Sequence, residues 1–287
     1  MNQEGKETGE LQRLRVATYN IHKCRGLDGR ARPDRIAQVL KEVDADIVAL
    51  QEVVNLEGQS SEHHQARYLA EKLGYHAELG ENRRHRGGAY GNLLLSRFPI
   101  HYTQNYDIST RGRESRGCLR ADVRLANGSL LHVFNVHMGT SFFERRQQAR
   151  KLIDQVILDN RALPGMRIIL GDFNEWTKGL ASRLLKSHFR SADIRTYLGR
   201  RRTYPGVLPL LSLDHIYFDG LLSLKGLSLH RTRAALVASD HLPLVADFSM
   251  PGSAAHSGLH DQWVSSAGTL STLLNPLPPP TFTSSDK

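Results

Sequence analysis

The sequence predicts an α/β protein, and three observations carry that prediction. Apolar runs of strand length recur along the chain, such as Leu14 to Asn20 and Asp46 to Leu50. Segments with helical spacing lie among them, such as Ile36, Val39, Leu40 and Val43. The two kinds interleave throughout, and the first strand, helix and strand fit within about forty residues, the length of a crossover.

The elements follow in order. A strand begins at Leu14 and ends at Asn20, before a loop rich in Gly and Arg between Lys23 and Arg32. Pro33 suits the first turn of a helix. The run Asp46 to Leu50 is a buried strand ending in Gln51-Glu52, and a second helix is expected over Glu62 to Leu73. Strands follow at Asn92 to Ser96 and Arg120 to Leu125. Asn127-Gly128 lies between two apolar runs and signals a hairpin, whose returning strand runs from Leu130 to Val136 and ends at His137. A long amphipathic helix is expected over Phe142 to Leu158. Arg167 to Leu170, Leu213 to Phe218 and Leu242 to Phe248 are the remaining strands.

Residues 1–12 read as a flexible leader, 13–250 as one domain, and 251–287 as a disordered tail rich in Ser and Pro. Apolar residues make up 40% of the 287, enough for a sizeable core. No run approaches the length of a membrane-spanning helix, and the first residues lack the apolar stretch of a signal peptide. A cytoplasmic protein, monomeric rather than oligomeric, is expected. Cys24 and Cys118 make no disulfide framework, although a single bridge stays open. The net charge of +9 comes mostly from arginine, whose planar fork of donors matches phosphate oxygens. Such a balance fits a polyanionic partner or a basic surface without one.

The informative feature is where the carboxylates and carboxamides fall. Asn20, Glu52 and Asp172 each follow an apolar strand, and Asp240 precedes the last one. If the strands share a sheet, these oxygens can meet at one rim. There they can hold a hard cation or serve as general acids and bases. Asp and Asn at strand ends also cap helices and form turns, and each residue alone is open to that explanation. Two cysteines and no HxxxH spacing argue against a zinc centre, so His137 and His241 are expected to face a phosphate instead.

Five segments occur in a telling order: Thr18 to Ile21, Leu50 to Val53, Gly171 to Asn174, Leu213 to Ile216, and Ser239 to Pro243. Together with Gly91 to Arg97 and Asn135 to His137 they resemble the endonuclease/exonuclease/phosphatase superfamily, over residues 14–249. The resemblance implies a four-layered α/β sandwich, two mixed β-sheets packed face to face with helices outside. It implies a Mg²⁺ or Mn²⁺ ion held by Glu52, with Asn20 and Asp240 nearby. Asp172 and Asn174 would position or activate water, Asp214 would orient His241, and His241 and His137 would bond phosphoryl oxygens. Arg116 and Asn92 would bind substrate. The leading expectation is a phosphodiesterase acting on DNA or RNA. Hydrolysis of a phospholipid headgroup or small phosphate ester is the alternative, and a non-catalytic anion-binding domain is a third.

Overall fold

The computed structural model describes residues 11–56, 63–157, 163–175, 179–199, 202–206, 208 and 210–250. Residues 1–10 of the expected leader and the whole expected tail lie outside the described residues, as do Arg200 and Arg201 of the arginine run. Two six-stranded sheets form the body. The first has the order β11 (Ser223–Leu229), β12 (Leu244–Met250), β1 (Gln12–Asn20), β2 (Ile47–Asn55), β4 (Gly88–Ser96) and β3 (His76–His85). The second runs β5 (Ile100–Asp107), β6 (Gly117–Arg124), β7 (Leu130–His137), β8 (Met166–Asp172), β10 (Asp214–Phe218) and β9 (Arg190–Ser191).

Each sheet is mixed. The pairs β1–β2 and β7–β8 are parallel, and their neighbours are antiparallel. The helix α1 (Pro33–Val43) crosses between the first parallel pair. Pro33 starts it, and Asp44 stops it in a left-handed conformation. The helix α3 (Phe142–Lys151) crosses between the second pair. It continues as a π-helical turn, Leu152–Ile157, where a single α-helix was expected from Phe142 to Leu158, the last of which lies outside the described residues. That turn presents Leu152, Ile153, Val156 and Ile157 to one core. The other helices are α2 (Gln65–Leu73), α4 (Leu180–Lys186), α5 (Ile194–Leu198) and α6 (Arg233–Ala238).

Three cores define four layers. Strand residues alternate between faces, so β1 sends Leu14 and Val16 between the sheets and Ala17 and Tyr19 outward. The outer face of the first sheet is covered by α1, α2 and α6 through Ile36, Leu40, Leu69 and Ala235. That of the second sheet is covered by α3 and α4 through Ala149, Ala181 and Leu185. Between the sheets Val16, Ile47 and Leu94 meet Ala121, Ile168 and Ile216. The expected sandwich is therefore present. Cys24 and Cys118 are buried, free, and in different outer layers. Among the described residues no helix is long and apolar enough to cross a membrane.

Candidate active site

The site lies at one end of both sheets. Asn20 closes β1, His137 closes β7, Asp172 closes β8, and Asp214 opens β10. The register pairs Asp172 with His137 on one side and Asp214 on the other, so the second sheet brings three of these side chains abreast. Gly171 is required before Asp172. Its φ is +148°, and a Cβ there would sit 1.9 Å from the Val136 carbonyl oxygen. Glu52 lies within β2 instead of ending it. Two residues, Gln51 and Glu52, fall where the register to β4 skips between Leu50 and Val53, and Glu52 takes a φ of +58°.

The bulge sends Gln51 between the sheets, where it is fully buried. Its Nε2 donates to Asn135 Oδ1 at 2.8 Å and to Thr18 Oγ1 at 3.1 Å. Asn135 Nδ2 returns to the backbone of the first sheet, 2.9 Å from Leu50 O and 3.0 Å from Leu93 O. Asn92 Nδ2 donates to Gly117 O and Asn135 O, both at 3.0 Å. Three carboxamides thus clamp the sheets together in the interior, a role that polar residues inside strands did not announce in the sequence. Asn92, expected to bind substrate, is completely buried, and only its Oδ1 lacks a partner.

Asp172 is the focus. Its Oδ1 accepts from the Asn174 backbone N–H at 2.8 Å, and its Oδ2 accepts from Asn20 Nδ2 at 3.0 Å. Asn174, at φ +49°, spends its own amide on Met138 O. His241 Nε2 stands 3.7 Å from Asp172 Oδ2, and His137 Nε2 stands 3.8 Å from the same oxygen. Burial lifts the Asp172 carboxyl above its ordinary range, and Asp214 adds to this against the two imidazoles.

The two histidines differ in charge. His241 Nδ1 is 3.0 Å from Asp214 Oδ2. Burial opposes the imidazolium, but Asp214, Asp172 and Asp240 outweigh it and raise His241 to about 10. His137 is pushed down to about 4 by burial and by Arg116, whose Nη1 lies 3.4 Å from His137 Nδ1. An arginine only donates, so Nδ1 of His137 accepts and its Nε2 carries the proton toward Asp172. Arg116 also pairs with Glu114 at 2.8 Å.

Glu52 faces an ammonium and Asp240 an imidazole, both from one turn. His22, Lys23 and Cys24 take φ values of 46°, 60° and 56°, a left-handed run of non-glycine residues. It places Lys23 Nζ 2.6 Å from Glu52 Oε2 and His22 Nδ1 3.6 Å from Asp240 Oδ1. Burial works against the Glu52 carboxylate, yet His137, Lys23 and Asn20 hold it down at about 2. Lys23 was not singled out in the sequence as a contact of this carboxylate, since one lysine in a basic loop carries no mark of its partner.

These residues suit a small hard cation. Among the described residues no three His, Cys, Asp or Glu side chains converge as a closed cage. Mg²⁺ does not require one, because it binds through one or two carboxylates and completes its shell with water and substrate phosphate. The ammonium of Lys23 on Glu52 already marks a seat for positive charge. Asn20 turns its nitrogen, not its oxygen, toward Glu52 and Asp172, while its Oδ1 accepts from the His22 N–H. It is placed to link the two carboxylates. Tyr204 packs its ring 4.8 Å from that of His241, and Ser239 Oγ donates to Asn20 O at 2.8 Å.

Comparison with known proteins identifies the family and the fold. YbhP of Escherichia coli strain K12, described only as uncharacterised, is 33% identical over 251 residues, covering 83% of this chain and 96% of that protein. A UPF0294 protein of Vibrio cholerae is 31% identical over 147 residues, or 48% of this chain and 47% of that one. The fold is similar to an endonuclease/exonuclease/phosphatase protein from Beutenbergia cavernae, at TM-score 0.66 and 23% identity over 84% of this chain and 72% of that one. It is also similar to a mannosyl-6-phosphatase from Bacteroides thetaiotaomicron, at TM-score 0.69 and 19% identity over 82% and 99% of the two chains. The model of the endonuclease/exonuclease/phosphatase family matches residues 17–241, which span Asn20 to His241, and the chain belongs to that family.

Proposed function

We propose that the protein hydrolyses phosphodiester bonds with the help of Mg²⁺ or Mn²⁺. The observation that carries this is the surroundings of Asp172 Oδ2, which is held by Asn20 and faced by one charged and one neutral imidazole. Asp172, with its raised pKa, takes the proton from the attacking water. The Asn174 N–H and Asn20 fix its two oxygens for that task. His241, kept protonated by Asp214, bonds a phosphoryl oxygen, and His137 offers a second donor from Nε2. Glu52 and Asp240 would hold the cation. When bound, the cation neutralises phosphate charge and stabilises the leaving oxygen. Arg116, buried behind His137, sets the tautomer of that ring.

Nucleic acid, the substrate expected from the family motifs together with the positive charge, is supported by exposed arginines on the loops around the site, among them Arg25, Arg86, Arg111 and Arg113. The same residues suit a phospholipid headgroup. Activity should be measured with Mg²⁺ and Mn²⁺ on plasmid DNA, RNA, phospholipid and a soluble phosphodiester dye, beside EDTA and Asp172→Asn. Turnover that survives both controls would sink the mechanism. Anion binding without turnover would favour a non-catalytic domain.

A further inference from the structure

The exposed apolar side chains are not scattered. Nine large hydrophobic residues are exposed among the described residues, and six of them lie on segments flanking the site: Leu27, Phe142, Phe143, Leu208, Leu210 and Val237. Leu27 follows β1, and its N–H donates to Val237 O at 3.1 Å, so the two segments adjoin. Val237 belongs to α6, three residues before Asp240. Phe142 and Phe143 open α3 five residues after His137, with their rings edge to face at 5.7 Å. Leu208 and Leu210 belong to the segment that carries Tyr204 onto His241, and Gly206 N–H binds Asp240 O at 2.7 Å. Phe143, Leu208 and Leu210 are 75%, 66% and 65% exposed, apolar surface that gains little from burial within the chain.

The same end of the sheets is basic. Arg25, Arg86, Arg111, Arg113 and Arg146 are exposed there. The acids among them are already engaged, Asp28 by Arg35 and Glu114 by Arg83 and Arg116. A second copy of this chain, with its own +9, would be repelled by such a rim. A nucleic acid would satisfy the arginines and stack on the phenylalanines, but it offers nothing to the aliphatic Leu27, Leu208, Leu210 and Val237. A bilayer surface rich in anionic lipid satisfies both. Its phosphates meet the arginines, and its acyl boundary receives leucine and phenylalanine side chains.

We propose that this rim docks on an anionic lipid bilayer and that the site takes the phosphodiester of a phospholipid headgroup. The substrate part rests on the phosphodiesterase function proposed above; the docking part does not. In the hydrolysis the water oxygen bonds phosphorus as one phosphorus–alkoxy bond breaks. One water proton passes to Asp172, the other stays on the new phosphate oxygen, and the departing alkoxide takes its proton from solvent water, to which Asp172 returns the one it gained.

The test is sedimentation of the full chain with vesicles of phosphatidylglycerol and phosphatidylcholine, against vesicles of phosphatidylcholine alone. Binding should need the anionic lipid and weaken with salt. Phe142→Ser with Phe143→Ser should weaken it by about tenfold or more, and Leu208→Ser with Leu210→Ser by a similar factor. Both variants should keep the native melting temperature and the native rate on a soluble phosphodiester dye. The leucine pair separates the partners, since its loss should not change the affinity for a single-stranded oligonucleotide. Vesicle binding that is absent, or unchanged in both variants, overturns docking. So does an oligonucleotide bound more tightly than the vesicles. Vesicle binding with no release of headgroup, while the dye is still hydrolysed, overturns the lipid substrate alone. Failure on the dye itself overturns the phosphodiesterase function and leaves docking standing.

Discussion

Asp214 Oδ2 lies 3.0 Å from His241 Nδ1, and the bond joins the second sheet to a loop of the first. The pair is buried, so the carboxylate acts on the imidazole with little screening from water. In the metal-free protein, Asp214→Asn should lower the His241 pKa from about 10. The fall should be about one unit or more. A pKa raised in the folded state stabilises below the unfolded value and fails above the folded one. In the native chain this contribution is full below 6.5 and disappears as pH rises through about 10. NMR titration of the imidazole and melting against pH check both statements, and an unmoved titration would refute the first.

Asp172→Asn keeps the shape of the side chain and removes its capacity to take a proton. Turnover of a phosphodiester should fall by about 10²–10⁴. Binding of Mn²⁺, which is assigned to Glu52 and Asp240, should persist. Because burial raises the Asp172 pKa, the rise in activity with pH should come above the ordinary carboxylate value of 3.8. Loss of Mn²⁺ binding in this variant would place Asp172 in the cation site.

Lys23 competes for the carboxylate that the cation needs. Lys23→Met should tighten Mn²⁺ binding, and only a few-fold, on the order of what a half-exposed ion pair contributes. Calorimetric titration of the metal-free protein measures it. Weaker binding would mean that Lys23 helps to build the cation site and does not obstruct it.

Asn135→Leu strips the donor from Leu50 O and Leu93 O and the acceptor from Gln51. The cost should be about 2–4 kcal/mol, since buried groups are left unpaired between two sheets. Urea unfolding gives the value, and a loss below about 0.5 kcal/mol, the size of an ordinary surface change, would deny the clamp its role.

What the sequence shows of this fold follows from burial. Central strands such as β1, β2, β7 and β8 are covered on both faces and are legible as apolar runs. The four strands not foreseen, β3, β5, β9 and β11, are the four sheet edges. β5 is half exposed along its length, β9 has two residues, and a bulge at Leu224 and Gly226 breaks the alternation of β11. Among site residues, Asn20 and Asp172 were legible because a polar residue abruptly ends an apolar run, whereas Asp214, inside the run Leu213 to Phe218, came from the resemblance alone. Gln51 and Asn135 were not, because a carboxamide inside a strand has no visible partner until the second sheet is in place. The direction of the Asn20 amide is likewise a fact of the assembled site.

Two contacts close the site, Asn20 to Asp172 and Asp214 to His241, and each has one foot in either sheet. The proposed catalytic centre therefore works as a vernier for the alignment of the two halves. A sliding of one half against the other by about the length of a hydrogen bond would part both contacts and leave every ladder intact. In rising denaturant, turnover should vanish before the circular dichroism of the strands, and the gap between the two curves would measure the slack in the seam.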